Sequence, residues 1–443
     1  MNIFGSDGFR CKFGTEFMTF EFITKFSNAL AKTYTDQRFR NPIIISRDTR
    51  SSGVLIENLV STILLARGID VVLADVLPTP GLSRILNEGE YSIGIMITAS
   101  HNPHHDNGIK LFGSSGFKLS SKIEKNIESY ILNKNLALDC FGLNAFIGKK
   151  VILDNAFKQY IDSILGIPER LSQKKTLIDC SNGAYSKLSS MYGDNNNLTF
   201  INDKPDGSNI NLNCGALHAD ALHKSLHIDN YDFGIAFDGD GDRAVFVSRE
   251  YGVIEAEKLV LLFFRAMQKQ SLSKKIVISE ISNLALKHNL EELGGCLIET
   301  EVGDRFVVDA VEENQAMFGC EPSGHFYFPG GSKSMDGFVA MQKFLKLLDS
   351  HENNIDDDLI NIKHYQRVQE NIDIKEFPDL DLDKIKEGIA QFINIDIEKL
   401  IIRKSMWDPV IRIYYDYSSR NNFDYIKKEL YKLLSNMNKT EPI

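Results

Sequence analysis

The chain is poor in the residues that would mark a secreted scaffold or a thiolate metal centre. Its six cysteines (Cys11, Cys140, Cys180, Cys214, Cys296 and Cys320) are scattered, with no CxxC spacing among them. That pattern fits neither a disulfide framework nor a zinc ribbon, and reduced thiols in a cytoplasmic protein are the expectation. Proline is scarce and no low-complexity tract occurs, so an ordinary globular composition remains. A basic excess is also missing. Asp and Glu number 60 against 50 Lys and Arg, for a net charge of −10, and no basic stripe is interleaved with aromatics. A nucleic-acid partner is therefore not expected. No apolar run reaches the length of a membrane span. The opening MNIFGSDGFR lacks the basic and apolar regions of a signal peptide, so no membrane partner is expected either. The acidic run Asp356 to Asp358 reads as solvated surface or linker.

What is present is a long alternation of short β-rich apolar runs with amphipathic stretches, the pattern of an α/β protein. At 443 residues the chain exceeds one core, and two to four domains are expected. Helical spacing over 20–34 and 53–68 alternates with strand-like NPIIIS (41–46) and DVVLAD (70–75). The pattern restarts with a helix near 154–165 and strands at 175–180 and 232–237. It restarts again with a strand at 275–280 and a helix over 282–293. The tail from about 366 differs: strand-like RVQENIDI and VIRIYYDY accompany helical DLDKIKEGIAQFI and FDYIKKELYKLLSN, a small α+β unit. The resulting division is 1–150, 151–253, 254–365 and 366–443.

Chemistry concentrates in polar loops that follow buried strands, where open α/β sheets bind ligands. TASHNPHHDNGIKLF (98–112) follows SIGIMI and carries Ser100, His101, Asn102 and Lys110. No GxSxG elbow surrounds Ser100, and His101, adjacent in sequence, is not expected to reach it as a base. On Ser100 alone a polar turn is the simpler reading. FDGDGDRAVFV (237–247) is sharper: Asp238, Asp240 and Asp242 alternate with glycines that let the backbone curl around a small ion. Three crowded carboxylates repel unless a cation neutralises them, and hard oxygen ligands suit Mg²⁺. An EF-hand fails because its twelfth position is Arg249. A dinucleotide reading of Gly239 to Ala244 fails because the aspartates would repel a pyrophosphate. A solvated acidic turn is the alternative, but it leaves the glycines and Arg243 without a reason. A serine beside Mg²⁺ suits phosphoryl transfer, which needs positioning and charge neutralisation more than a strong nucleophile. ETEVGDRFVVDAV (299–311) offers Asp304 and Arg305. GCEPSGHFYF (319–328) gathers Glu321, Ser323 and His325, a set suited to sugar hydroxyls, although a polar β-turn reads equally well there.

FGSDGFR, TASHNP, DGDGDR and GCEPSGH occur in the order and spacing of the α-D-phosphohexomutases, which the chain resembles along at least its first 340 residues. PDGSNINLNCGALH (205–218) and VGDR (302–305) resemble the branch acting on glucosamine phosphates. The EPSGH form is shared with relatives acting on mannose or glucose phosphates. The resemblance implies four domains around a cleft, three mixed α/β and a small α+β one. It implies interconversion of hexose or hexosamine 6- and 1-phosphates, with a hexose 1,6-bisphosphate as intermediate and activator. Ser100 would be the phosphoserine, its phosphate meeting Mg²⁺ held by Asp238, Asp240 and Asp242. Arg10 and Lys110 would stabilise the transferring group, Lys110 or His101 would move a proton, and Arg243 would lie near the phosphate. Glu321, Ser323 and His325, with Asp304 and Arg305, would meet the substrate. A phosphatase and a catalytically silent or weakened relative are the other classes considered. The resemblance frays at RKSMWDP (403–409), where the family's R-x-S-G-T-E-P loop cradles phosphate. Arg403, Ser405 and a later Arg412 match, but Met406 and Trp407 replace Gly and Thr, so a weakened cradle is expected. The oligomeric state stays open.

Overall fold

The computed structural model describes residues 3–133, 146–164, 173–192, 197–351, 354–373, 397–404 and 410–417, with Lys428 and Lys432. Two compact units divide the chain: residues 1–279 with 298–360, and residues 280–297 with 361–443.

The first unit contains three sheets. In the first sheet, β1 (Phe9–Lys12), β2 (Ile43–Arg47), β3 (Val71–Val76), β4 (Ile93–Ile97), β5 (Asp106–Gly113) and β6 (Lys150–Ile152) are ordered β1-β5-β4-β2-β3-β6. Strands β2, β3, β4 and β6 run parallel, whereas β5 returns antiparallel between β4 and β1. The continuous apolar runs of β2 to β4 are what strands covered on both faces require. The helix Phe20–Asp36 places Ile23, Phe26 and Leu30 in one core with Ile43, Ile45, Ile93 and Ile95. Thr19 caps that helix, its Oγ1 accepting from the Phe22 amide at 3.1 Å. The closing strand β6 straddles the expected boundary at 150.

The second sheet contains β7 (Thr176–Asp179), β8 (Leu198–Ile201), β9 (Phe233–Phe237), β10 (Ala244–Ser248) and β11 (Gly252–Ile254), ordered β11-β10-β9-β7-β8. The third contains β12 (Lys275–Ser279), β13 (Cys296–Thr300), β14 (Phe318–Glu321) and β15 (His325–Tyr327), ordered β13-β12-β14-β15. One device recurs in all three sheets. A buried strand that pairs in parallel ends in a short polar loop, and the next strand returns antiparallel beside it: β4 to β5, β9 to β10, β14 to β15. The three loops so formed are 98–105, 238–243 and 322–324.

The second unit holds β16 (Gln366–Asp373), β17 (Ile397–Lys404) and β18 (Val410–Tyr417), all antiparallel in the order β16-β18-β17. Buried Asp416 organises it, taking Arg367 Nε and Nη2 at 2.6 and 2.7 Å and the Leu284 amide at 2.9 Å. Arg403 and Arg412 lie in register across β17 and β18. Ser405 to Pro409 and the two helical expectations of the tail lie outside the described residues, apart from Lys428 and Lys432.

The acidic run is not simply solvated surface. Asp356 is buried and accepts the Ser248 hydroxyl, while Asp358 pairs with Arg265 and His351. Their helix, Ile355–Asn361, begins at these acids, which complement its N-terminal dipole. Among the described residues every cysteine is a free thiol, and no helix is long and apolar enough to cross a membrane.

Candidate active site

The serine loop is held from below before it is used. Ser100 is only 1% exposed and adopts a left-handed backbone, φ 52°, a conformation that costs a non-glycine residue free energy. Its amide donates to Thr98 Oγ1 at 2.8 Å, and Thr98 donates in turn to Asp48 Oδ2 at 2.7 Å. Fully buried Arg50 pairs with Asp48 at 2.9 Å. The Arg50 guanidinium also donates to the carbonyls of Ser100, Asn102, Pro103 and Asp106. Asn211 Nδ2 adds bonds to the Ser100 and Asn102 carbonyls at 2.9 and 3.1 Å. The loop's carbonyls are thus satisfied from within, leaving the Ser100 hydroxyl for chemistry.

That hydroxyl lies 2.7 Å from Asp238 Oδ2 and 3.1 Å from His101 Nδ1. Adjacency in sequence does not keep His101 away, because the left-handed turn at Ser100 brings the two side chains together. Burial, with Arg243 and Arg10 nearby, pushes the His101 imidazole down to about 2, so it is neutral at ordinary pH and free to accept a proton bond.

The carboxylates of Asp238, Asp240 and Asp242 are buried, with ligand atoms all within 4.8 Å of one another. Burial and the charges of Asp242 and Asp240 push Asp238 up to about 8. Burial and Asp242 raise Asp240 as well. Asp240 Oδ1 is buried without a hydrogen-bond partner, while its Oδ2 accepts from Thr79 Oγ1 and Lys110 Nζ. An orphaned carboxylate oxygen beside two further acids is a donor set that fits Mg²⁺. The loop's glycines serve close approach. A Cβ on Gly239 would lie 2.7 Å from the Ser100 carbonyl. Gly241, at φ +75°, would drive one within 2.3 Å of the Tyr185 ring.

Lys110 reaches Asp240 and Asp242 at 2.8 Å each and Asp7 at 3.0 Å. Burial opposes its charge, but the three carboxylates outweigh burial and hold the ammonium well above the usual lysine range. Lys118 bridges Asp7 and Asp304 at 2.5 Å each. Burial likewise opposes ionisation of Asp7, yet Lys110 and Lys118 hold it well below the carboxylate range. Arg10 stands on β1 opposite Gly108, in the strand pair that carries Lys110.

His325 stands between two acids, with Nδ1 3.0 Å from Glu321 Oε2 and Nε2 3.2 Å from Asp242 Oδ1. Burial and Arg243 oppose its protonation, but Asp242 and Glu321 carry it up to about 10. Arg243 Nε lies 3.1 Å from the same ring and 3.9 Å from Asp238. Ser323 Oγ is 2.9 Å from His325 Nδ1, and Glu321 Oε1 accepts the Gly303 amide at 3.0 Å. The 319–328 stretch is therefore wired into the aspartate loop, which a plain β-turn would not require. Arg305 points elsewhere, forming a two-pronged pair with buried Glu124 at 2.8 and 3.0 Å. Asp304 joins the cluster through Lys118.

Sequence reasoning missed Asp7, Asp48, Arg50, Thr79, Lys118 and Asn211. Asp48 and Arg50 were findable, since they follow β2 just as TASHNP follows β4. Asp7 sits inside FGSDGFR but was passed over for Arg10. Lys118 reaches the site from a distant segment and carries no local signal, whereas Asn211 sits inside PDGSNINLNCGALH without having been singled out.

Three sheets that each end a buried strand in a polar loop, gathered on a serine and three aspartates, define a phosphoryl-transfer enzyme of the phosphohexomutase type. The chain belongs to that family, the α-D-phosphohexomutases. Residues 1–137 match "Phosphoglucomutase/phosphomannomutase, alpha/beta/alpha domain I", and residues 255–365 match domain III of the same series. A phosphoglucosamine mutase from Bartonella quintana is 32% identical, covering 98% of this chain and 96% of its own. In structure, a phosphoglucomutase/phosphomannomutase family protein from Burkholderia thailandensis shares the fold with a TM-score of 0.80 at 20% identity, covering 100% of this chain and 98% of its own. So does an Aspergillus fumigatus N-acetylphosphoglucosamine mutase in complex with GlcNAc-6P and magnesium, with a TM-score of 0.67 at 14% identity over 98% and 96% of the two chains.

Proposed function

We propose that the chain is a cytoplasmic phosphoglucosamine mutase, interconverting glucosamine 6-phosphate and glucosamine 1-phosphate through a phosphoserine and a bisphosphorylated sugar. The observation that carries this reading is the Ser100 hydroxyl at 2.7 Å from Asp238, one of three clustered carboxylates. The near-full-length similarity to phosphoglucosamine mutases supports the choice of sugar.

In this reading Ser100 carries the phosphate, which passes to the free sugar oxygen; the resulting hexosamine 1,6-bisphosphate turns around and returns its other phosphate to Ser100. Asp238, Asp240 and Asp242 would hold Mg²⁺, which supplies positive charge against the phosphoryl oxygens. Lys110, Arg10 and Arg243 add fixed positive charge around the transferring group, and preorganised charge of this kind lowers the barrier without reorganisation. His101, beside Ser100 Oγ, would take or return a proton. Glu321, Ser323 and His325 would receive sugar hydroxyls, since a carboxylate already bonded twice keeps lone pairs to accept more. Asp304 would act through Lys118. Arg403, Ser405 and Arg412 would bind the phosphate that is not transferred.

The test is turnover of glucosamine, mannose and glucose 6-phosphates side by side, with a catalytic amount of the matching 1,6-bisphosphate. Glucosamine 1-phosphate should form fastest. Release of inorganic phosphate in place of an isomer would make the chain a phosphatase, and a preference for mannose or glucose would reassign the sugar.

A further inference from the structure

Away from the serine and aspartate loops, a cavity of about 600 Å³ opens between the helices Ala256–Met267 and Gly337–Ser350. Its floor is apolar, with buried Phe263 and Met317. Its rim is cationic: Lys269, Lys343 and Lys346 line it, along with Arg265. Arg265 is balanced by Asp358 at 3.6 Å. Among the described residues the three lysines meet no carboxylate, and Lys343 has only the face of the Phe328 ring, 5.6 Å from its Nζ. This is unexpected in a chain with ten more acids than bases. Burial and the neighbouring Lys346 push the Lys343 ammonium down from its ordinary range. A cation held in that way gains from an incoming anion. The size suits a small organic molecule rather than a single phosphate ion.

We propose that this cavity is a second binding site, for an organic polyphosphate with a planar or apolar body, the chemical class of a nucleoside di- or triphosphate. The phosphates meet Lys269, Lys343 and Lys346, and the body lies on Phe263 and Met317. The site is separate from the serine loop and does not depend on the reading of the mutase activity. It is tested on the full chain with trinitrophenyl-ATP, whose fluorescence rises on binding, competed by ATP, inorganic tripolyphosphate and glucosamine 6-phosphate. Saturable binding displaced by ATP at least tenfold more effectively than by tripolyphosphate is expected, with glucosamine 6-phosphate ineffective. The Lys343→Glu/Lys346→Glu variant should weaken binding at least tenfold while keeping its melting temperature and mutase turnover. Met317→Ala, which trims only the apolar floor, should weaken ATP but not tripolyphosphate. The proposal is overturned by absent binding, by binding that the lysine variant leaves unchanged, or by displacement with glucosamine 6-phosphate. Equal competition by tripolyphosphate would also overturn it, since it would reveal only an anion patch.

Discussion

At Ser100 the free energy of the site is concentrated in one side chain. A left-handed, buried serine is strained and desolvated at once, and both costs are met by bonds the fold supplies to its amide and carbonyl. Ser100→Ala removes the hydroxyl and leaves Asp238 one donor short. Unpaired buried acceptors cost about 1–3 kcal/mol, so a modest drop in melting temperature should accompany complete loss of mutase turnover. Mass spectrometry of the wild-type chain should place any retained phosphate on Ser100; normal turnover by the alanine variant would remove the serine from the mechanism. Asp240 makes a second residue-scale case. Its orphaned Oδ1 is the oxygen that a cation would engage. Saturating MgCl₂ should raise the wild-type melting temperature, by the equivalent of about 2.7 kcal/mol at a hundred times the dissociation constant. Asp240→Asn should abolish both that rise and the activity. An equal rise in the variant would move the cation elsewhere.

At the scale of the element, a loop is accurate only as far as its backbone is fixed, and here Arg50 does the fixing. Four carbonyls of the serine loop converge on one guanidinium whose countercharge, Asp48, also steadies Thr98. Arg50→Lys keeps a charge but loses the planar fork. It should fold, bind substrate with KM nearly unchanged and lose at least tenfold in kcat, as expected when the reacting group is mispositioned. A KM effect without a kcat effect would show that Arg50 serves binding rather than loop geometry. The strands were legible for a physical reason: SIGIMI, DFGIAF and KIVIS each carry an unbroken apolar run, and a run of that kind is what a buried strand requires. The aspartate loop was legible because alternating Asp and Gly serve no plain turn. The reach of His101 to Ser100 was not legible because sequence adjacency says nothing about a left-handed φ. Lys118 was invisible, and the role of Asn211 within PDGSNINLNCGALH could not be read, because their partners lie more than a hundred residues away. Asp356 was taken for surface because an acidic run looks solvated until the Ser248 hydroxyl is found against it.

Within the first unit as a whole, three sheets without visible sequence repeats present equivalent loops to one cluster of charges, and the ties between sheets decide whether those loops stay in place. Arg305, on the third-sheet helix Asp304–Asn314, pairs through both terminal nitrogens with Glu124 on the first-sheet helix Ser121–Leu132. Both side chains are largely buried, at 14% and 6% exposure. VGDR suggests a substrate contact for Arg305, but the geometry favours a tie. The two roles predict different measurements. Removing one member of a buried pair strands the other, at a cost of about 3–5 kcal/mol, whereas replacing both by apolar groups can be neutral. Arg305→Met should therefore lower the unfolding free energy by about 3 kcal/mol, less whatever solvent screening the exposed edge allows. Adding Glu124→Leu should recover most of that loss, a coupling that a double-mutant cycle reads directly. Activity of the double variant should stay within a few-fold of wild type. A KM that rises more than tenfold in both variants, with unfolding scarcely changed, would return Arg305 to the substrate.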